Sequence, residues 1–323
     1  MLIRFLFSLI TIFFFNTVYS QTCCSGGVPL SNNIGLPFLE KGGSQFGVFY
    51  DYNNLNTLNE GSKKLQDNSR LRITNSILFN FSYNITERLL VEGLISWVNQ
   101  KREITGLSSL NLDETSGIGD GVLLLRYMIL NKKNYSLITG IGGKIPIGST
   151  EEVNDLGIRL NADLQPGSNS FDILFTSTFI KRFNFRRTTN VIGRLTYRKT
   201  GVNSEYQEVN EYKFGNEIQG FIGVSDSFLF LGQIINPSLS FKYRKAYPDK
   251  LNNTKIANTG GDWLFINPNF SLKITPKINF STSLEVPLYA NVDGIQLTPT
   301  YRINTGISIQ FSKKNKKAVN LIQ

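Results

Sequence analysis

Between Leu71 and Tyr83 large apolar side chains recur at nearly every second position: Leu71, Ile73, Ile77, Phe79, Phe81 and Tyr83 alternate with Arg72, Thr74, Ser76, Asn80 and Ser82. A pleated strand sends alternate side chains to opposite faces, so this segment carries one apolar and one polar face. Segments of this kind recur along the chain at residues 45–52, 70–83, 88–100, 118–129, 135–146, 170–182, 188–198, 212–224, 227–244, 262–274, 278–288 and 297–311. Many exceed the length of an ordinary strand. Long strands, apolar on one side and small or polar on the other, suit a wall with lipid outside and water inside.

The connections sharpen that reading. Those after the second, fourth, sixth, eighth and tenth segments are short, at 84–87, 130–134, 183–187, 225–226 and 275–277. Those after the first, third, fifth, seventh and ninth segments are long and polar, as at 101–117, 147–169 and 245–261. Strict alternation of short and long connections is the periplasmic-turn and extracellular-loop pattern of bacterial barrels. The sequence therefore predicts an all-β chain, an antiparallel transmembrane β-barrel of about 12 strands in a Gram-negative outer membrane. Tyr52, Tyr83, Trp97, Tyr127, Tyr135, Tyr197, Tyr212, Phe228 and Tyr243 fall near strand ends, where interfacial aromatic girdles belong. In the final strand, parity points Leu297, Tyr301, Ile303, Ile307, Ile309 and Phe311 to lipid. Thr300, Arg302, Asn304, Ser308 and Gln310 then point inward.

The N-terminus supplies the route to that membrane. Arg4 precedes an apolar run from Phe5 to Phe15, and Val18-Tyr19-Ser20 has small residues where a signal peptidase reads, which places cleavage between Ser20 and Gln21. The expected organisation is a signal peptide at 1–20, an N-terminal periplasmic or plug segment at 21–44, the barrel at 45–311 and a basic tail at 312–323. The 21–44 segment has no long strand pattern and fits either a periplasmic tail or a plug in the lumen. Downstream of Ser20 nothing approaches the roughly 20 apolar residues of a spanning helix, which argues against an inner-membrane transporter.

Charge and chemistry narrow the function. Lys and Arg outnumber Asp and Glu by 34 to 24, an excess that fits either solubility and general surface charge or a lumen or rim that favours anions. The basic residues are scattered along alternating strands of an exported chain, a poor footprint for nucleic acid. Histidine is absent from the sequence, which removes the usual proton carrier of Ser and Cys nucleophile systems; no enzyme is expected, and neither a cofactor nor a metal site. Cys23 and Cys24 are the only thiols and read as an oxidised or structural pair, since a four-ligand metal site cannot be completed from thiols and imidazoles. Parity within each strand assigns Arg72, Glu92, Asp120, Arg126, Lys144, Asp172, Arg194, Glu217, Lys242, Lys273, Glu285 and Arg302 to the lumen, where opposite signs can pair.

The glycine-rich stretches Gly117-Ile118-Gly119-Asp120-Gly121 and Gly140-Ile141-Gly142-Gly143-Lys144 lack the spacing of a phosphate-binding loop and lie in predicted wall strands. Gly117-Ile118-Gly119-Asp120, Leu125-Arg126-Tyr127 and Gly143-Lys144-Ile145-Pro146-Ile147-Gly148 together resemble the outer-membrane channel proteins grouped with the transporters of meta-pathway phenol degradation. The resemblance implies a barrel related in role to channels for small, often hydrophobic molecules. The expected function is thus an outer-membrane channel or transporter for small solutes, with those solutes and membrane lipid as partners and the oligomeric state open. The alternative is a non-transport barrel with a surface-binding or structural role through its long loops.

Overall fold

A computed structural model describes residues 35–105 and 110–311. The leader, the Cys23-Cys24 pair and the 312–323 tail lie outside the described residues. Twelve strands form one closed antiparallel wall. They are β1 (Ser44–Glu60), β2 (Arg70–Asn84), β3 (Leu89–Thr105), β4 (Leu110–Ile118 and Gly121–Asn131), β5 (Tyr135–Ile145) and β6 (Asp172–Arg182). The second half comprises β7 (Asn190–Lys199), β8 (Glu217–Ser225 and Phe228–Phe230), β9 (Gln233–Ala246), β10 (Gly261–Lys273), β11 (Ile278–Val292) and β12 (Ile295–Phe311). Each strand pairs with its sequence neighbour. The ring closes where β1 meets β12, from Ser44 opposite Phe311 to Glu60 opposite Ile295. Closure satisfies every wall strand without leaving an edge, the condition for sheet structure in hydrocarbon.

Burial in this molecule is inverted relative to a water-soluble protein. Phe46, Val48, Tyr50, Phe79, Phe81, Ile95, Leu123, Leu125, Phe175, Phe241 and Ile307 are exposed, whereas Asp51, Ser76, Asn80, Glu92, Arg126 and Lys242 are buried. Alternation in the sequence is the cause: the apolar register meets lipid and the polar register meets the interior. Tyr83, Trp97, Tyr127, Tyr135, Phe228 and Tyr243 stand exposed on the outer surface, as the girdle reading requires.

Four local expectations are corrected. The 101–117 stretch, read as a loop, is mostly strand, because β3 and β4 extend together as a hairpin with Arg102 opposite Asp113 and bonded to it at 2.6 Å. The turn placed at 225–226 lies instead at Leu231-Gly232, whose φ values of 47° and 77° are both left-handed, as a two-residue hairpin turn demands. Asp226 and Ser227 only interrupt β8, which resumes at Phe228. Tyr212, read as wall and girdle, belongs to a small sheet outside the barrel and is buried. Leu297, expected to face lipid, packs with Leu55 and Leu58 because register shifts between Asn54 and Thr57 displace the upper part of β1 against β12.

The small sheet has four short strands, Asn203–Tyr206, Asn210–Lys213, Lys250–Leu251 and Thr254–Lys255, contributed by the β7–β8 and β9–β10 connections. Tyr212 and Phe214 form its core with Ala162, which comes from the β5–β6 connection, and Tyr206, Leu251 and Ile256 pack against them. Residues 146–171 therefore reach from one side of the barrel to the other on the long-loop side. This is a cap.

Candidate functional site

Charged side chains on the inner face form an ordered chain around half of the wall. Asp120 on the β4 interruption bonds Lys144 of β5 at 2.7 Å; Lys144 reaches Asp172 of β6 at 3.4 Å; Asp172 lies 4.0 Å from Arg198 of β7. Arg198 pairs with Glu217 of β8 at 3.2 Å, and Glu217 with Arg244 of β9 at 3.0 Å. The order follows the wall, because Lys144 is directly opposite Asp172 and Arg198 directly opposite Glu217. Signs alternate strand by strand, so the belt is neutral and each buried charge has an opposite neighbour. Buried charges are tolerated only when paired in this way.

Asp120 also anchors the cap. It accepts hydrogen bonds from the Gly148 N–H at 3.2 Å, the Ser168 N–H at 3.1 Å and the Ser168 hydroxyl at 2.6 Å, which ties both ends of the 146–171 loop to one carboxylate. The two ends meet backbone to backbone: a Cβ on Gly167 would lie 2.2 Å from the Gly148 carbonyl oxygen. Midway along the loop a short 3-10 turn, Ala162–Leu164, docks on β2, β3 and β4. Arg72 bonds the Asp163 carboxylate at 2.8 Å and also reaches the Gln100 side chain and the Asp163 carbonyl. Gln100 donates to the Leu164 carbonyl at 3.1 Å, and the Thr115 hydroxyl to the same oxygen at 2.7 Å. On the opposite side, β2 and β3 being half a barrel away from β8 and β9, Ala162 packs on Tyr212.

Within the cap, Asp249 accepts bonds from the Tyr212 hydroxyl at 2.6 Å and from the Gly215 N–H at 2.7 Å. Burial pushes the Asp249 carboxyl above the ordinary carboxylate range. Burial first, and then the neighbouring Asp249 charge, pushes the Tyr212 phenol well up as well.

From the short-turn side, residues 35–43 run back into the barrel. Glu92 accepts the Gly35 N–H at 2.7 Å and pairs with Arg126 at 3.1 Å, and Arg126 donates to the Leu36 carbonyl at 2.7 Å. Arg126 also lies over the Phe38 ring at 5.6 Å, and the Arg194 guanidinium sits against Gly35.

The lumen wall is not uniformly polar. Phe49, Leu78, Leu94, Val122, Leu124 and Leu174, all in the inward register of β1 to β6, form a buried apolar cluster. Bordering it at Phe49 is a cavity of about 440 Å³, lined by amide and hydroxyl side chains and also by Leu36, Pro37 and Ile278. Asn269, Ser271, Ser281, Ser283, Asn304, Ser308 and Gln310 of β10 to β12 supply polar groups to that lining, with Gln45 and Asn80.

Of the residues assigned to the lumen from sequence, Asp120, Lys144, Asp172 and Glu217 are brought together in the belt; Arg72, Glu92 and Arg126 hold the cap and the 35–43 segment. Lys242 and Glu285 pair with each other at 2.5 Å. Arg302 pairs with Asp51 at 2.9 Å, and Arg194 and Lys273 line the cavity. Asp51, Arg198 and Arg244 complete these pairs and were missed, although Arg198 and Arg244 share the parity of Arg194 and Lys242. Asp163 lies in a loop, where parity carries no information.

No protein-family model matches the chain, and no curated protein matches it. Among solved structures, the COG4313 outer membrane channel from Pseudomonas putida F1 is similar with a TM-score of 0.66 at 16% identity, over 88% of this chain and 100% of that one. The β domain of the Bordetella autotransporter BrkA gives 0.49 at 10% identity, over 84% and 100%. The Pseudomonas putida toluene transporter TodX gives 0.40 at 10% identity, over 90% and 95%. The first of these likenesses, with the closed strand ring, defines the class: an outer-membrane β-barrel.

Proposed function

We propose that the chain is an outer-membrane channel that passes small solutes through the barrel interior and is gated by the 146–171 loop. The observation that carries this reading is the pairing of a lined cavity on the β10–β12 side with a cap that crosses the outer mouth and is held by side-chain contacts alone. Arg72, Gln100, Thr115 and Asp120 supply those contacts, and none of them belongs to the backbone ladder of the wall. The resemblance of Gly117-Ile118-Gly119-Asp120 and Gly143 to Gly148 to channels grouped with phenol-degradation transporters supports the same role, as does the likeness to a barrel described as a channel. The inward fold of the 146–171 loop favours gating over display of that loop to a surface partner.

Purified protein in liposomes is expected to admit small solutes, followed by osmotic swelling across a size series. Absence of swelling with every solute, with a folded barrel confirmed by heat-modifiable gel mobility, contradicts the channel reading.

A further inference from the structure

The two ends of the barrel differ in charge. The five short turns, at 85–88, 132–134, 183–189, 231–232 and 274–277, carry the cations Arg88, Lys132, Lys133, Arg186, Arg187 and Lys277, all exposed, against the single acid Glu87. One further acid close by, Asp226 in the β8 interruption, is taken by Arg186 at 2.7 Å. The long-loop connections mix the signs instead, as in Glu151, Glu152 and Asp155 with Arg159.

Much of the surplus lies over one arc of the short-turn rim, from β4 to β8. Lys132 and Lys133 form the β4–β5 turn. Lys181, exposed near the end of β6, is directly opposite Tyr135 of β5 and Val191 of β7 and shares the outward register of Phe175 and Phe179. It is therefore a cation on the lipid side, level with a girdle tyrosine. Arg186 fixes the β6–β7 turn against β8: besides its pair with Asp226 it donates to the Ser227 carbonyl at 3.3 Å and lies over the Phe228 ring at 4.6 Å. Arg187 follows on that fixed turn, and Phe185 just before it is 81% exposed, its ring 5.3 Å from that of Phe183.

These features ask for one kind of surrounding. An aromatic side chain as open as Phe185 at the end of a barrel strand belongs at headgroup level, where its ring leaves water without entering deep hydrocarbon. Lysine at the same level lays its methylene stem along the apolar wall and lifts its ammonium to the phosphates. Cations gathered beside a leaflet draw anionic headgroups, and those interactions act within a Debye length. Peptidoglycan is the other anionic material on this side of the membrane, but it offers no hydrocarbon for Tyr135, Phe228 and Lys181 to border.

We infer that the β4–β8 arc of the short-turn rim is a docking surface for anionic phospholipid headgroups of the inner leaflet. Lys132, Lys133, Lys181 and Arg187 meet the phosphodiester, and Tyr135, Phe185 and Phe228 border the acyl chains beneath it. This surface is separate from the lumen, and its test does not involve solute passage.

The test is lipid binding to the full-length barrel folded in detergent, titrated with phosphatidylglycerol or with phosphatidylcholine of the same acyl chains and followed by native mass spectrometry. Phosphatidylglycerol is expected to bind about tenfold more tightly at low salt, with the preference falling as salt rises. The triple variant Lys132→Gln, Lys133→Gln, Arg187→Gln should lose most of that preference, while Lys63→Gln with Lys64→Gln, exposed on the long-loop side, should keep it. Heat-modifiable gel mobility checks folding. Where the triple variant does not fold, Lys132→Gln with Lys133→Gln carries the test with a loss of about threefold. Equal binding of the two lipids, an undiminished preference in the rim variants, or the same loss in the Lys63 and Lys64 variant overturns the inference. Retention on purified peptidoglycan that disappears in the rim variants, without a lipid preference, overturns it in favour of the cell wall.

Discussion

The two sides of the lumen wall solve different problems. Along β1 to β6 the inner face is packed: Phe49, Leu78, Leu94, Val122, Leu124 and Leu174 close on one another, and above them Asp120, Lys144 and Asp172 tie the cap to the wall. Along β10 to β12 the same inward register carries amides and serines around open space. Barrel geometry is common to both halves, so the difference lies in side-chain size and pairing. Large inward residues and matched charges make a brace, and short polar residues leave open space between the walls.

The largest effect should come from cutting the brace at its anchor. Asp120→Ala removes the nearer of the two carboxylates around buried Lys144, leaving Asp172, together with the three bonds that Gly148 and Ser168 make to Asp120, so it is expected to destabilise the barrel by about 3 kcal/mol, the lower end of the cost of breaking a buried pair. Urea unfolding of the refolded protein measures the loss, and proteolysis of the 146–171 loop should accelerate in parallel. Little change in either would show that the belt is decoration on a wall held by its backbone.

Lys242 and Glu285 provide a sharper version on the open side, because their pair stands apart from the belt. Glu285→Leu alone should cost about 3 kcal/mol, whereas Glu285→Leu with Lys242→Met should recover most of it. A double variant as unstable as the single one would mean that the pair is fixed by more than mutual neutralisation.

Parity on β12 predicts a third contrast. Ile303 and Ile307 are exposed on the outer face, and Ser308 lies in the cavity lining. Ile307→Arg is expected to impair assembly by about 2 to 4 kcal/mol, the cost of an arginine near the bilayer midplane, and Ser308→Arg much less. Heat-modifiable gel mobility in membranes reports the difference, and equal tolerance at both positions would place the register one residue out.

The smallest expected effect is on the cap. Asp249 has its native pKa raised above the unfolded carboxylate value of 3.8, so the folded cap binds this proton more tightly than the unfolded chain. Its stabilising contribution is complete below that value and is lost as pH rises through the native pKa. Hydrogen exchange of the amides in 203–213 should therefore quicken on going from pH 4 to pH 7 beyond the intrinsic rate change, and Asp249→Asn should remove that excess. An unchanged excess in the variant would assign the pH response to another group.

Most of the wall was legible because alternation is imposed by lipid on every strand: outward Phe79, Phe81, Leu123, Leu125 and Phe241 cannot be polar, and the period follows. Inward residues are under no such constraint. Leu78 and Leu94 break the alternation, and only the packed cluster explains them. Ser225-Asp226 carries turn chemistry without the turn, since Leu231-Gly232 offers a glycine where left-handed backbone is needed. Asp163 meets Arg72 across 91 residues of sequence, a contact that no local pattern encodes. Gly117 to Asp120 and Gly143 to Gly148 stood out as motifs, and their meeting at the Asp120 carboxylate gives them a physical role as the anchor of the loop.

Passage through the barrel is proposed to depend on release of the 146–171 loop. Single-channel conductance in planar bilayers, compared between the wild-type protein and Arg72→Ala, tests it most directly, because Arg72 holds the middle of that loop through Asp163. Longer or larger openings are expected in the variant at equal protein incorporation. Identical conductance and open time in the two proteins would contradict it.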